Sequence, residues 1–254
     1  MFDPRLISAE VLKLRHRRGM LAIAILLTFG IVLLVFAVTG IQHAGNPARY
    51  RPAGGQTGYT NGLGFVLSMA LVVGVIVGGT AGTQDIESGV FRDLAATGRS
   101  RLALFVARVI GACTIVLAIL AATAMAMGVL SIALADAAAA PHAATLLAGT
   151  AAILVAGALS AAMTVGLSAL VGSRGTVIGV LLAFFLAIEP LLSLVRFLGD
   201  ARQGLPAVAI GRIGHTPILP GSVAVALGTA VAVAIAWGIT TLGVGAWKTT
   251  TREI

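Results

Sequence analysis

The stretch GLGFVLSMALVVGVIVGGTAGT, Gly62–Thr83, holds no charged side chain and sets the class of the whole chain. It reaches the ~20 residues that a helix needs to cross a bilayer. Its apolar residues run continuously rather than alternating, which excludes a barrel strand. In lipid a helix satisfies its own backbone. Five similar runs surround it: Met20–Gly40, Leu104–Leu134, Ala144–Val171, Thr176–Leu198 and Gly221–Trp247. The expected fold is therefore all-α, a polytopic membrane protein with six transmembrane helices. Residues 1–254 read as one transmembrane domain.

Composition agrees. Of 254 residues, 58% are hydrophobic and 10% charged, against roughly 25% charged in soluble domains. This excludes an ordinary soluble enzyme, a disordered chain and a disulfide scaffold. The single cysteine, Cys113, excludes an intrachain disulfide and a cysteine-built metal site. A net charge of +8 would suggest nucleic acid in a soluble chain. Here it is read as loop charge that orients the spans, and no nucleic-acid partner is expected. The first run reads as a permanent anchor, because no small-x-small cleavage site follows it.

Lys and Arg set the orientation. One side collects Arg5, Lys13, Arg15, Arg17, Arg18, Arg92, Arg99, Arg101, Arg108, Arg174, Lys248 and Arg252. The other has Arg49, Arg51, Arg196, Arg202 and Arg212. Both termini are thus expected in the cytoplasm and the chain in the cell inner (plasma) membrane. Six prolines (Pro47, Pro52, Pro141, Pro206, Pro217 and Pro220) then fall in outer loops, where no helix must continue.

Residues 1–19 read as an N-terminal interfacial helix. Asp3 can cap it, Pro4 fits its first position, and Ile7, Val11 and Leu14 share one face. The competing reading is a basic orientation signal. The longest cytoplasmic excursion lies between spans two and three, at 84–103. Ile86, Val90, Phe91 and Leu94 fall on one helical arc that Gly98 can end. Phe91 and Leu94 form an apolar knob suited to a groove on a cytoplasmic protein. A solvated turn with orienting arginines is the alternative.

The segment ESGVFRDLAATGRSR, residues 87–101, resembles the E-x-G-T-x-R-x-L-L-A-T-P-x-x-R segment of type 2 ATP-binding cassette (ABC) exporter permeases. Glu87, Gly89, Arg92, Leu94, Ala96, Thr97 and Arg101 match. Val90, Ala95 and Gly98 replace the usual Thr, Leu and Pro. Glu10 and Lys13, followed by Arg15, Arg17 and Arg18, resemble the family's opening, and WKTTTREI resembles its tail. The resemblance implies that the 84–103 loop carries a coupling helix that docks on an ATPase. The ATPase-coupling candidates are Asp85, Glu87, Phe91, Arg92, Leu94, Arg99 and Arg101. It further implies an ABC ATPase partner and a second permease copy or paralogous permease. ATP and Mg would sit on the ATPase, since this chain lacks G-x-x-x-x-G-K-[ST]. No catalytic, cofactor or metal residue is expected here.

Glu189, followed by Pro190, is the acid deep in a span. Intramembrane carboxylates are costly and often line pathways, but one paired inside the bundle is structural. Gly74, Gly78 and Gly82 in span two, and Ala158, Ala162 and Gly166 in span four, make small faces. Such faces let helices approach within one chain or between chains. Glu189, Pro190, Gly74 and Gly78 are the substrate-path candidates, with the glycine face leaving room for cargo and Glu189 favouring cationic amphiphiles. The segment 199–220 either dips into the outer leaflet or is a surface loop.

The expected function is the membrane subunit of an exporter for a lipophilic or amphipathic solute, drug-like, peptide or lipid, powered by a separate ATPase. The alternative is an ion-coupled secondary transporter using Glu189.

Overall fold

The computed structural model describes residues 4–89, 100–136, 138–221 and 223–251. Its helices are α1 (Pro4–Arg15), α2 (Arg18–Gly45), α3 (Gly55–Glu87), α4 (Arg101–Ala133), α5 (Ala143–Val171), α6 (Arg174–Leu194), α7 (Pro206–Ile213) and α8 (Leu227–Thr251). All of these except α1 and α7 are long and apolar enough to cross a membrane, which makes six spans. The described residues contain no strand.

The centre of the bundle is the pair α3 and α5, which share the most extensive interface. Small residues bring their backbones together. A Cβ on Gly78 would stand 2.6 Å from the Ala161 carbonyl oxygen, and one on Gly82 2.5 Å from Ser168. A Cβ on Gly74 would overlap Ser160. On its other side α5 meets α8 in the same way, since a Cβ on Gly245 would lie 2.5 Å from the Gly166 carbonyl oxygen. Lipid removes the hydrophobic drive between helices, so close dispersion contact is what small faces supply. The small stripes therefore meet within one chain. The α4 helix completes the core against α3 and α5, while α6 packs on α3.

Three of the boundaries that differ from expectation have a visible cause. α3 begins seven residues earlier than Gly62, because its polar first turns are anchored: the Gln56 side chain accepts from the His142 N–H at 3.0 Å and donates to Thr145 Oγ1 at 3.1 Å. α6 stops at Leu194, not Leu198, where the Arg202 guanidinium reaches the Ser193 carbonyl at 3.2 Å and supplies a donor to the helix end. α8 starts at Leu227, not Gly221, because Arg212 Nε donates to the Val225 carbonyl at 2.7 Å and holds that stretch out of the helix. Within the first 19 residues the chain forms α1, with Leu14 fully buried. Asp3 lies outside the described residues.

Two spans contain a widened π-turn, Leu26–Gly30 in α2 and Phe184–Ile188 in α6. The second has a clear origin. Pro190 lacks an N–H, and its ring would strike the Leu186 carbonyl in a regular helix. A single π-turn relieves that clash without ending the helix.

The segment after α6 is folded rather than a plain loop. Two short 3-10 pieces within Arg196–Gly204, broken at Gly199 (φ +50), lead to α7, whose residues Pro206–Gly211 are all buried. α7 packs against α8 and α5, and Gly214 behind it approaches Ala152 and Leu67. The chain therefore dips into the bundle and returns.

Candidate coupling site

Two acids close α3 and set the geometry of the segment that follows. Asp85 is 5% exposed, and its carboxylate takes Lys13 Nζ at 2.9 and 3.1 Å and an Arg108 guanidinium nitrogen at 3.0 Å. Lys13 also pairs with Glu10 at 2.6 Å. These four groups, two acids and two bases, join α1, the end of α3 and the start of α4. Their charges balance, which buried ions require. Gly111 makes the approach possible, since a Cβ there would lie 2.9 Å from that of Glu10.

Glu87, one turn end later, turns the other way. Its Oε1 accepts the Arg174 N–H at 2.6 Å, capping the first turn of α6, whose own N-cap residue Ser173 makes no side-chain cap. A carboxylate at a helix N-terminus satisfies a free donor and meets the positive end of the helix dipole. Gly89 then takes φ +75, the left-handed conformation that lets the chain leave the helix. At the far side of the segment Ser100 caps α4 by accepting the Ala103 N–H at 3.1 Å. Arg101 reaches the Thr250 carbonyl at 3.4 Å, tying α4 to the end of α8.

The coupling candidates thus separate. Asp85 is an internal tie whose oxygens are spent on Lys13 and Arg108. Glu87 and Arg101 stand at the two roots of the loop and are bonded to other spans. Phe91, Arg92, Leu94 and Arg99 lie outside the described residues, as does the helix expected around them. The Lys13–Asp85–Arg108 link was missed in the sequence. Its signal was an acid in the last turn of one apolar run and a base one turn inside the next.

The path candidates occupy two separate places. Gly74 and Gly78 face α5 at backbone contact, so the room expected there for cargo is filled by Ser160 and Ala161. Glu189 is fully buried, and its Oε1 accepts the Ala207 N–H of the first turn of α7 at 3.1 Å. Pro206 occupies the first position of that helix, where its missing N–H costs nothing. Beside it Ser193 Oγ reaches the carbonyl oxygens of Pro190 and Pro220 at 2.7 and 2.8 Å. Trp237 Nε1 donates to the Gly204 carbonyl at 2.9 Å. Glu189 and Pro190 therefore belong to a joint between α6, α7 and α8. This arrangement lends the ion-coupled alternative no support.

Residues 6–190, from the first turn of α1 to the proline of α6, match the sequence model of the ABC-2 family transporter proteins. No curated protein matches the chain significantly.

Proposed function

Because the chain belongs to the ABC-2 family of transporter proteins, as a membrane component of an ABC transporter, we propose that it is the path-forming subunit of an exporter. Its cargo is a lipophilic or amphipathic solute, drug-like, peptide or lipid. Two permeases, identical or paralogous, enclose the path. A separate cytoplasmic ATPase, with its ATP and Mg, drives them. The protein sits in the plasma (inner) membrane with both termini in the cytoplasm, and α1 lies along that face.

The observation that carries this reading is the anchoring of the 88–100 segment. Its N-terminal root is tied through Asp85 to α1 and α4, and through Glu87 to α6. A displacement of that segment would be passed to three elements at once, because the Lys13–Asp85 and Arg174–Glu87 hydrogen bonds, at 2.9 and 2.6 Å, are short and charge-assisted, and Arg108 pairs with Asp85 at 3.0 Å. ATP binding closes the ATPase pair and moves the segment, and the permease dimer opens outward. This chain performs no covalent step. It supplies the path and the linkage.

The test replaces Phe91 and Leu94 together with Asp. ATP-dependent transport is lost while the protein still inserts, and transport also fails when the ATPase is omitted and an ion gradient is supplied. Normal transport by the double variant would refute the docking role of the segment, and transport on the gradient alone would refute the ABC mechanism.

A further inference from the structure

At the end of the bundle opposite α1, α2 and α3 part around a cavity of about 480 Å³. The parting has a cause. The Gly54 N–H donates to the Leu134 carbonyl at 2.8 Å, and Gln56 bridges to His142 and Thr145, so the start of α3 is drawn toward α4 and α5. The 46–54 connection arches back over the gap, held where His43 Nδ1 meets the Tyr50 carbonyl at 2.6 Å.

The cavity is chemically graded along α2. Ile31, Val32, Val66 and Met127 line its deep part, whereas Gln42, Tyr50 and Arg51 line its mouth. Ile31 to Gln42 is about 17 Å of helix rise, close to half of the ~30 Å hydrocarbon core, the depth of one leaflet. Among the described residues Arg51, which is exposed, is the one charged residue in the lining. Arg49 lies over the Tyr50 ring at 5.6 Å, and His43, which holds Tyr50, meets Asp136 at 3.3 Å, so two arginines and one nearby carboxylate leave the mouth net cationic. Val35 and Phe65, 46% and 47% exposed, flank a sideways opening, and next to it Leu34 is 61% exposed on the lipid-type surface of α2. Water does not fill apolar space without polar partners, but an acyl tail does.

We propose that this cavity binds one acyl chain of an anionic membrane phospholipid, with the tail along α2 and the headgroup on Arg51. Length, cationic mouth and lateral opening each match that ligand, and the assignment does not rest on the identity of the cargo. The site is distinct from the joint at Glu189 and from the α3–α5 seam.

The experiment uses the full chain in nanodiscs carrying phosphatidylglycerol with a mid-chain diazirine, followed by light and peptide mass spectrometry. Labels concentrate on residues 31–36 and 65–66, at least fivefold above the exposed α8 positions Ile235 and Ile239. Arg51→Ala lowers this labelling at least threefold, but leaves labelling by a phosphatidylcholine probe unchanged. Val35→Trp, a substitution at an exposed rim position, blocks both probes. Excess free fatty acid of the same tail length does not compete. Uniform labelling of α2 and α8 would overturn the site. Indifference to Arg51 would overturn the headgroup assignment, and displacement by fatty acid would overturn the phospholipid. A disulfide between copies of a Val35→Cys variant would show instead that a second permease covers the cavity.

Discussion

Replacing Asp85 with Asn removes one negative charge from between two positive ones and keeps the side chain's shape. Lys13 retains Glu10 at 2.6 Å, so it is not stranded. Arg108 is 3% exposed and loses its carboxylate. Removing one partner of a buried ion pair costs about 3–5 kcal/mol. At about 1.4 kcal/mol per tenfold, even the lower figure raises the open population of the α3–α4 contact at Arg108 roughly a hundredfold. Hydrogen exchange followed by mass spectrometry reads this directly. Amides of Phe105–Gly111 should exchange about a hundredfold faster in Asp85→Asn, while those of Leu71–Val77 at the α3 centre stay as they were. Lys13→Met leaves Asp85 on Arg108, so it should produce a far smaller change there, about tenfold at most for a partly exposed pair. Unchanged exchange at the start of α4 in the Asp85 variant, or equal effects from both variants, would refute the reasoning that Asp85 ties α3 to α4 through Arg108.

Other consequences are as direct. Gly78→Val drives a side chain against the Ala161 carbonyl, and overpacking of this kind costs about 1–3 kcal/mol or more; the yield of monodisperse protein on size exclusion should collapse, whereas Gly175→Val, with open space around it, leaves it intact. Glu189→Gln still offers an oxygen to the Ala207 N–H and should retain most thermal stability, while Glu189→Ala leaves that buried donor unmet at a cost of about 1–3 kcal/mol. Export of cationic and neutral cargo should fall in parallel in the Ala variant, and selective loss of the cationic cargo would assign Glu189 to the path instead. A cysteine at the exposed Asn46 should react with an impermeant reagent in intact cells and one at Thr250 should not; the reverse pattern would invert the topology.

The six spans were legible because continuous apolar runs have one solution in lipid. Their ends were less so. Gln56 and Tyr59 read as loop residues, yet contacts to a connection almost ninety positions away make them helical, and such partners leave no local pattern. Arg202 and Arg212 looked like outer-loop charge, but their work is to end α6 and delay α8 by bonding single carbonyls. The glycines at 74, 78 and 82 announced close packing without naming the partner, since a small stripe fits any other small stripe. Glu189 stood out by its rarity in a span. Its bond to Ala207 depends on how residues 195–205 turn back, which periodicity does not encode.

The α3–α5 seam has a mechanical consequence. Ser160, Thr164 and Ser168 bring hydroxyls to it, but each turns back on its own helix, to the carbonyls of Ala156, Ser160 and Thr164 at 2.8, 2.6 and 2.7 Å. Thr80 and Thr83 on α3 do the same, to Ile76 and Gly79, each at 2.8 Å. The seam is held by contact at close range and by no hydrogen bond from these hydroxyls across it. Two greased rails pressed together resist separation far more than sliding. The longest interface in the molecule can therefore slip along its axis by small steps while staying shut sideways, and the Gln56–Thr145 bond at one end limits the travel.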